Sequence, residues 1–220
     1  MTATALAIPL WADLLAVGIG SLQGAMFAAE FKDRRMDVLG VAIIGIATGL
    51  GGGILRDILL GQVPRAMQTN GYLLVAVGAA LLGMLLQRLF RRLVGTITFL
   101  DALTIGLFGA LGATKALSLG IPGVPAVFVG VISAVGGSVL RDLLMNLTIA
   151  MMHVGSLYAV AAGVGVVVLV VMQSLGIPVV VAGVVGVVAT TAIRMLAVHF
   201  GWTLPEQRAL SRLPRWRRPT

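Results

Sequence analysis

The 220-residue sequence has no cysteine, which excludes disulfides, thiol nucleophiles and cysteine-ligated metals. Its two histidines, His153 and His199, lie far apart along the chain, so a histidine metal cluster is not expected either. Charge is also scarce. Only 11% of residues are charged, against about 25% in an ordinary soluble domain, and only 5% are aromatic. Apolar residues fill the gap: 59% of side chains are hydrophobic, glycine reaches 29, and the mean hydropathy is +1.05. This is the composition of a membrane protein. At about 20 apolar residues per helical pass, the chain has room for roughly six to eight passes and for no extramembrane catalytic domain.

The net charge of +8 carries information through its placement. The basic cluster Lys32, Arg34, Arg35 follows the first apolar stretch instead of preceding it, the reverse of a secretory signal, so the first segment is expected to be retained. Apolar runs bounded by charge, proline or glycine give seven spans at 10–29, 38–60, 70–87, 97–119, 124–147, 154–175 and 178–200. With seven spans, one side holds only Arg65. The other holds Lys32, Arg34, Arg35, Arg88, Arg91, Arg92, Arg208, Arg212, Arg215, Arg217 and Arg218. The positive-inside rule then puts the N-terminus outside and the C-terminus in the cytoplasm.

The chain also repeats itself. Asp13, Leu15, Gly18, Gly24 and Ala25 recur as Asp101, Leu103, Gly106, Gly112 and Ala113 at a constant offset of 88. GGGILRDILL (51–60) recurs as GGSVLRDLLM (136–145) at an offset of 85. The expected organisation is all-α: one membrane domain over 1–220, with a three-helix repeat at 10–93, a second at 97–175, a seventh helix at 178–200 and a basic cytoplasmic tail at 201–220. An odd number of spans per unit forces the second unit to enter from the opposite side, so the repeats are inverted.

Glycine runs at Gly51, Gly52 and Gly53, and at Gly136 and Gly137 followed by Ser138, each cost about 1 kcal/mol of helix propensity per glycine relative to alanine. Each run immediately precedes charges inside an apolar span. That points to a break or kink beside a polar pathway, with close helix packing as the alternative. For the scattered Gly18, Gly24, Gly106, Gly112, Gly163 and Gly183 packing is the better reading. Arg56 with Asp57, and Arg141 with Asp142, are neighbours about 100° apart on a helix and are not expected to close on each other. Each intramembrane charge costs roughly 2.5–3.5 kcal/mol without a partner. Cross-repeat pairs, Arg56 with Asp142 and Arg141 with Asp57, would neutralise all four; the competing reading is a buried structural network away from any permeant species. Lys115 is either a gating charge or a snorkelling anchor, and Arg194 a snorkelling or structurally paired residue. Asp13 and Asp101, near span starts, read as caps or helix-dipole partners. Gln173, Asn146, Thr190 and Thr191 add polar atoms that interhelical hydrogen bonds explain equally well.

With its paired GGGxxRD and GGxxxRD motifs in a seven-span, three-plus-three arrangement, the chain resembles the bacterial branch of the trimeric intracellular cation (TRIC) channel family, also labelled glycine-transporter-like. The resemblance implies a homotrimer in the inner membrane of a prokaryote, with one pore per protomer between glycine-kinked second and fifth helices. It also implies conduction of monovalent cations of the potassium type. Carried over residue by residue, it marks Gly51, Gly52, Gly53, Arg56 and Asp57, and Gly136, Gly137, Arg141 and Asp142, as pathway residues, with Lys115 matching a gating position. One departure stands out. RDILLGQVP (56–64) has the family's ending, whereas RDLLMNLTI (141–149) lacks counterparts of Gly61 and Pro64, so the end of the fifth span is expected to be shaped differently.

The expected function is therefore a passive cation channel that needs no cofactor or bound metal, whose partners are membrane lipid, monovalent cations and further copies of itself, not nucleic acid. The rival is a carrier for a small zwitterion such as glycine, with Arg taking the carboxylate and Asp the ammonium. An enzyme is not expected, since no nucleophile with its base, metal cluster or phosphate loop appears.

Overall fold

The computed structural model describes residues 9–31, 36–90, 95–152 and 157–204, with backbone alone at 88–90. Among them it has seven α-helices: α1 Leu10–Glu30, α2 Val38–Leu59, α3 Asn70–Phe90, α4 Thr96–Ser118, α5 Gly123–Leu144, α6 Tyr158–Ser174 and α7 Val179–Phe200. Short 3-10 turns stand at Arg65–Met67 and Ala150–Met152. Pro9, Pro122 and Pro178 sit at the N-caps of α1, α5 and α7, where their fixed φ leads into the helix and no donor is missed. Asp37 caps α2 by accepting from Gly40 N at 2.7 Å. All but α6 hold 21–23 residues, about 32–35 Å at 1.5 Å per residue, enough to cross a bilayer core. The sixth helix has 17 residues. It begins at Tyr158, after the expected start at 154, and residues 153–156 lie outside the described residues. Lys32, Arg34, Arg35, Arg91 and Arg92 and most of the basic tail, from 205 onward, lie outside the described residues.

In packing, α1 meets α2, α3 and α4, while α4 meets α5, α6 and α7. The two units join where α2 crosses α5. The centre is built from small residues, with Phe108 and Ile105 among the few large apolar side chains fully buried. Outward faces carry Leu74, Leu85, Val124, Val180, Val184 and Val188, all exposed and all apolar, as a lipid-facing surface requires.

The glycine runs form the α2–α5 crossing and do not break either helix. A methyl group at Gly52 would sit on the carbonyl oxygen of Ser133, and one at Gly137 on the carbonyl oxygen of Thr48. One at Gly51 would come within 3.2 Å of Gly137 Cα and 2.6 Å of Leu140 Cδ1, and one at Gly136 within 3.3 Å of Gly52 Cα. Helical structure is continuous through both runs. Neither helix is broken at its run, and at these four positions close packing accounts for the glycines: only hydrogen in place of a side chain lets two backbones approach so closely. Gly53 differs, with open space to 3.9 Å on its side-chain face. Among the scattered glycines, Gly24, Gly106 and Gly112 are close-packed, whereas Gly183 meets nothing within 4 Å.

The ends of α2 and α5 are alike, contrary to the difference expected from the missing Gly61 counterpart. Gly61 has φ 64° and Asn146 has φ 49°. In both, the amide one residue on returns to a carbonyl five residues back: Gln62 N donates to Asp57 O and Leu147 N to Asp142 O, each at 2.8 Å. This is the Schellman closure, and Asn is the residue besides Gly that takes its left-handed position at small cost.

Candidate functional site

The charged pairs build two ionic clusters. In the first, Asp13 (α1) accepts from Arg56 Nη1 at 3.2 Å, Arg65 Nη1 at 3.3 Å and the Tyr72 hydroxyl at 2.9 Å. Asp57 accepts from Arg56 Nε at 2.7 Å, from Lys115 Nζ at 2.7 Å and from the backbone N–H of Arg65 at 2.9 Å. In the second, Asp142 accepts from Arg141 Nε and from the backbone N–H of Ala150, both at 2.9 Å. Asp101 takes the Tyr158 hydroxyl at 3.2 Å and faces Arg141 at 3.6 Å and Arg194 at 4.0 Å. Asp13, Arg56, Asp57, Arg141 and Asp142 are all buried.

Three expectations are corrected. Each Arg–Asp pair does close on itself, because the long arginine side chain curls back to a carboxylate at the helix end that is already fixed by a backbone N–H eight residues on. The cross-repeat pairs do not form. Helix α4 supplies Asp101 to one cluster and Lys115 to the other, 14 residues or about 21 Å apart along its axis, so the clusters sit at opposite ends of the bundle. Asp13 and Asp101 hold no cap position; those fall to Pro9 and Gly95, without side-chain bonds. Asp13 stands in the first turn of α1, as a helix-dipole partner does, Asp101 lies beyond the first turn of α4, and both aspartates are the hubs of the clusters.

Lys115 turns inward onto Asp57 and does not snorkel. At the offset of 88 its counterpart is Phe27, whose ring carries the Arg141 guanidinium at 4.1 Å from its centroid. The inversion thus places an ammonium beside one Arg–Asp pair and an aromatic face beside the other. Arg194 lies over Tyr158 at 4.7 Å, so it pairs within the structure. Thr191 reaches the carbonyl of Ala102 at 3.5 Å, an interhelical contact. Sequence reasoning missed Arg65, Tyr72 and Tyr158. A signal existed: the chain has only two tyrosines, separated by 86 residues, close to the repeat offsets.

Cavities adjoin both clusters. The second cluster opens into a cavity of about 240 Å³ reached by Gln23, Phe27, Thr98, Asp101, Arg141 and Arg194. Beyond it, about 10 Å³ is enclosed by Gln23, Thr48, Thr104, Ser138 and Phe108. A further cavity of about 10 Å³ is lined by Gly53, Arg56, Asp57 and Tyr72. Phe108 borders both small cavities. Of the pathway residues expected from sequence, Gly53, Arg56, Asp57, Gly137, Ser138, Arg141 and Asp142 border these spaces; Lys115 joins the chain of contacts through Asp57, while Gly51, Gly52 and Gly136 serve the helix crossing.

An all-helical bundle of two inverted three-helix units and a seventh helix, with a buried ionic cluster at each end and cavities adjoining both, belongs to the inverted-repeat class of integral membrane transport proteins. A family model described as Glycine transporter matches residues 10–88 and 98–174, that is, α1–α3 and α4–α6 separately. The chain is 34% identical over 157 residues to a UPF0126 membrane protein of Deinococcus radiodurans, covering 70% of this chain and 72% of that protein. It is 31% identical over 198 residues to the UPF0126 inner membrane protein YadS of Escherichia coli K12, covering 89% and 94%. Among solved structures, one described as the structural basis for conductance through TRIC cation channels superposes with a TM-score of 0.79 at 32% identity, over 90% of this chain and 96% of that one. The TRIC trimeric intracellular cation channel orthologue from Rhodobacter sphaeroides superposes with a TM-score of 0.79 at 29% identity, over 87% and 97%. The chain belongs to this glycine-transporter-like family, the bacterial branch of the TRIC channels. The solved relatives are channels and not enzymes.

Proposed function

We propose that the chain is a channel for monovalent cations of the potassium type, homotrimeric, with one pore in each protomer bordered by α2 and α5 and running beside their close crossing. The observation that carries this reading is the row of cavities inside a single protomer, from the space beside Arg141 and Asp101, past Gln23 and Phe108, to the space beside Arg56 and Asp13. The likeness to solved TRIC cation channels supports the ion class, and the R. sphaeroides orthologue, described as trimeric, supports the assembly. Charge does not oppose it. Against the four buried basic residues, Arg56, Lys115, Arg141 and Arg194, stand four aspartates, since Asp13 and Asp101 join Asp57 and Asp142 in the clusters; the fifth cation of the clusters, Arg65, is partly exposed. The buried interior is therefore balanced and does not act as an anion trap. Lys115 is the gating residue in this reading: release of its ammonium from Asp57 would loosen the first cluster.

Purified protein in a planar bilayer tests the proposal. Unitary current steps with reversal potentials that follow the potassium gradient are expected. Saturable glycine flux without unitary steps would instead make the protein a carrier. Native mass spectrometry that found only monomers or dimers would remove the trimer. Reporter fusions at both termini test the outside N-terminus and cytoplasmic C-terminus.

A further inference from the structure

The two clusters are built from corresponding residues but are not filled alike. Arg65 and Ala150 are counterparts at the offset of 85, and each holds a carboxylate by its backbone N–H at 2.9 Å, Arg65 on Asp57 and Ala150 on Asp142. Beyond the backbone they differ. Arg65 sends its guanidinium to Asp13 at 3.3 Å, whereas alanine has nothing to offer Asp101, the counterpart of Asp13. Lys115 likewise sets its ammonium on Asp57 at 2.7 Å, while its counterpart Phe27 carries no charge. Both Phe27 and Ala150 line the cavity of about 240 Å³, and the cavity at the first cluster is only about 10 Å³. The large cavity stands where the other half places two cationic side chains.

The carboxylate beside that room is sparsely bonded. Asp13 accepts from three side chains at 3.2, 3.3 and 2.9 Å. Asp101 accepts from Tyr158 at 3.2 Å, but Arg141 stands 3.6 Å from its Oδ1 and Arg194 4.0 Å from its Oδ2, both too far for a hydrogen bond. Asp101 is also the most open of the four aspartates, 9% exposed against 1–2% for the others, so a particle in the cavity can reach it. Three cations meet two carboxylates in the first cluster, Arg56, Arg65 and Lys115 with Asp13 and Asp57. In the second, only Arg141 and Arg194 meet Asp101 and Asp142. The fold therefore carries one more cation around this pair of carboxylates than the second cluster supplies.

We infer that the cavity beside Asp101 is a binding site for a short aliphatic primary amine in its protonated form, whose ammonium donates to Asp101 Oδ2. An ammonium brings three donors, and a bond to a carboxylate is charge-assisted. Phe27, Ile97 and Leu147 supply an apolar wall for a methylene chain, which an inorganic ion has no use for. The volume lies below the roughly 300 Å³ at which drug-sized pockets begin, so the ligand has few heavy atoms. It does not permeate, since the next cavity, of about 10 Å³, admits a single particle the size of water. A bound amine thus blocks the route from the side of the second cluster, which the positive-inside rule makes cytoplasmic.

The block rests on the channel reading; the binding does not. In detergent at pH 8, where both amino groups of 1,4-diaminobutane are charged, the melting temperature is measured against that diamine, with sodium chloride holding ionic strength constant and 1,4-butanediol as the uncharged control. A saturable rise with the diamine alone is expected. Ala150→Arg, which installs the repeat counterpart, should fill the site with its own guanidinium and raise the half-saturating diamine concentration at least about tenfold. If Ala150→Arg does not fold, Phe27→Lys carries the same measurement. In bilayers the diamine should reduce wild-type unitary currents from one side only, and the variants should resist it. No diamine-dependent stabilisation, an equal effect of the diol, an unchanged response in the variants, or stabilisation by glycine in place of the diamine would each overturn the site and leave the channel standing. Stabilisation lost in the variants, without unitary currents in the wild type, would overturn the channel and keep the site.

Discussion

Replacing Gly52 and Gly53 separately by alanine distinguishes close packing from a helix break as the purpose of the glycine run. At Gly52 the added methyl meets the backbone carbonyl of Ser133 on α5, a rigid helix that cannot rotate away as a side chain would. Overpacking of this kind costs typically 1–3 kcal/mol, and a backbone obstacle puts Gly52→Ala at the upper end. The gain in helix propensity returns up to about 1 kcal/mol, and less in detergent, where the unfolded chain keeps some helix. A net loss of about 2 kcal/mol remains, or roughly 4–8 °C in melting temperature at about 2–4 °C per kcal/mol for a chain of this length. At Gly53 the nearest atoms are Arg56 Nη2 at 3.9 Å and Phe108 Cε1 at 4.0 Å, so a methyl fits and Gly53→Ala should be neutral or slightly stabilising. The assay is thermal denaturation in detergent, followed by loss of the monodisperse gel-filtration peak. Equal destabilisation by both substitutions, or none by Gly52→Ala, would refute the packing argument, because a run selected to open the helix suffers alike at either position.

Asp57→Asn leaves both Arg56 and Lys115 without their shared carboxylate and should destabilise by about 3–5 kcal/mol; a double-mutant cycle with Lys115→Met should show coupling of roughly 1–3 kcal/mol, while the Arg56/Asp142 cycle should be additive within about 0.5 kcal/mol. Asn146→Gly should leave the melting temperature nearly unchanged, whereas Asn146→Val, forced to hold φ 49°, should lose at least about 1–2 kcal/mol by the same assay. Tyr72→Phe and Tyr158→Phe each remove one hydrogen bond to an aspartate and should each cost about 1.5–3 kcal/mol; a silent Tyr72→Phe would mean that Arg56 and Arg65 satisfy Asp13 by themselves.

The sequence alone determined the solvent, the number of helices and the inversion. These follow from one-dimensional quantities: apolar run length against bilayer thickness, and an odd number of spans between copies of the same motif. It also marked the residues of consequence, since Arg56, Asp57, Arg141 and Asp142 stand out as charges in hydrocarbon whatever they touch. It did not determine their partners. The inversion by itself set the ends of α2 and α5 on opposite sides of the membrane and so excluded Arg56 facing Asp142; that Asp13 takes Arg56 instead was decided by the packing of α1 against α2. The use of the glycines was likewise hidden, because a break and a close approach call for the same residue, and only the position of the Ser133 and Thr48 carbonyls separates them. Gln23 was least visible of all. One amide in an apolar helix is unremarkable until the fold sets it at a cavity lined by four other helices, and that convergence exists only in the folded bundle.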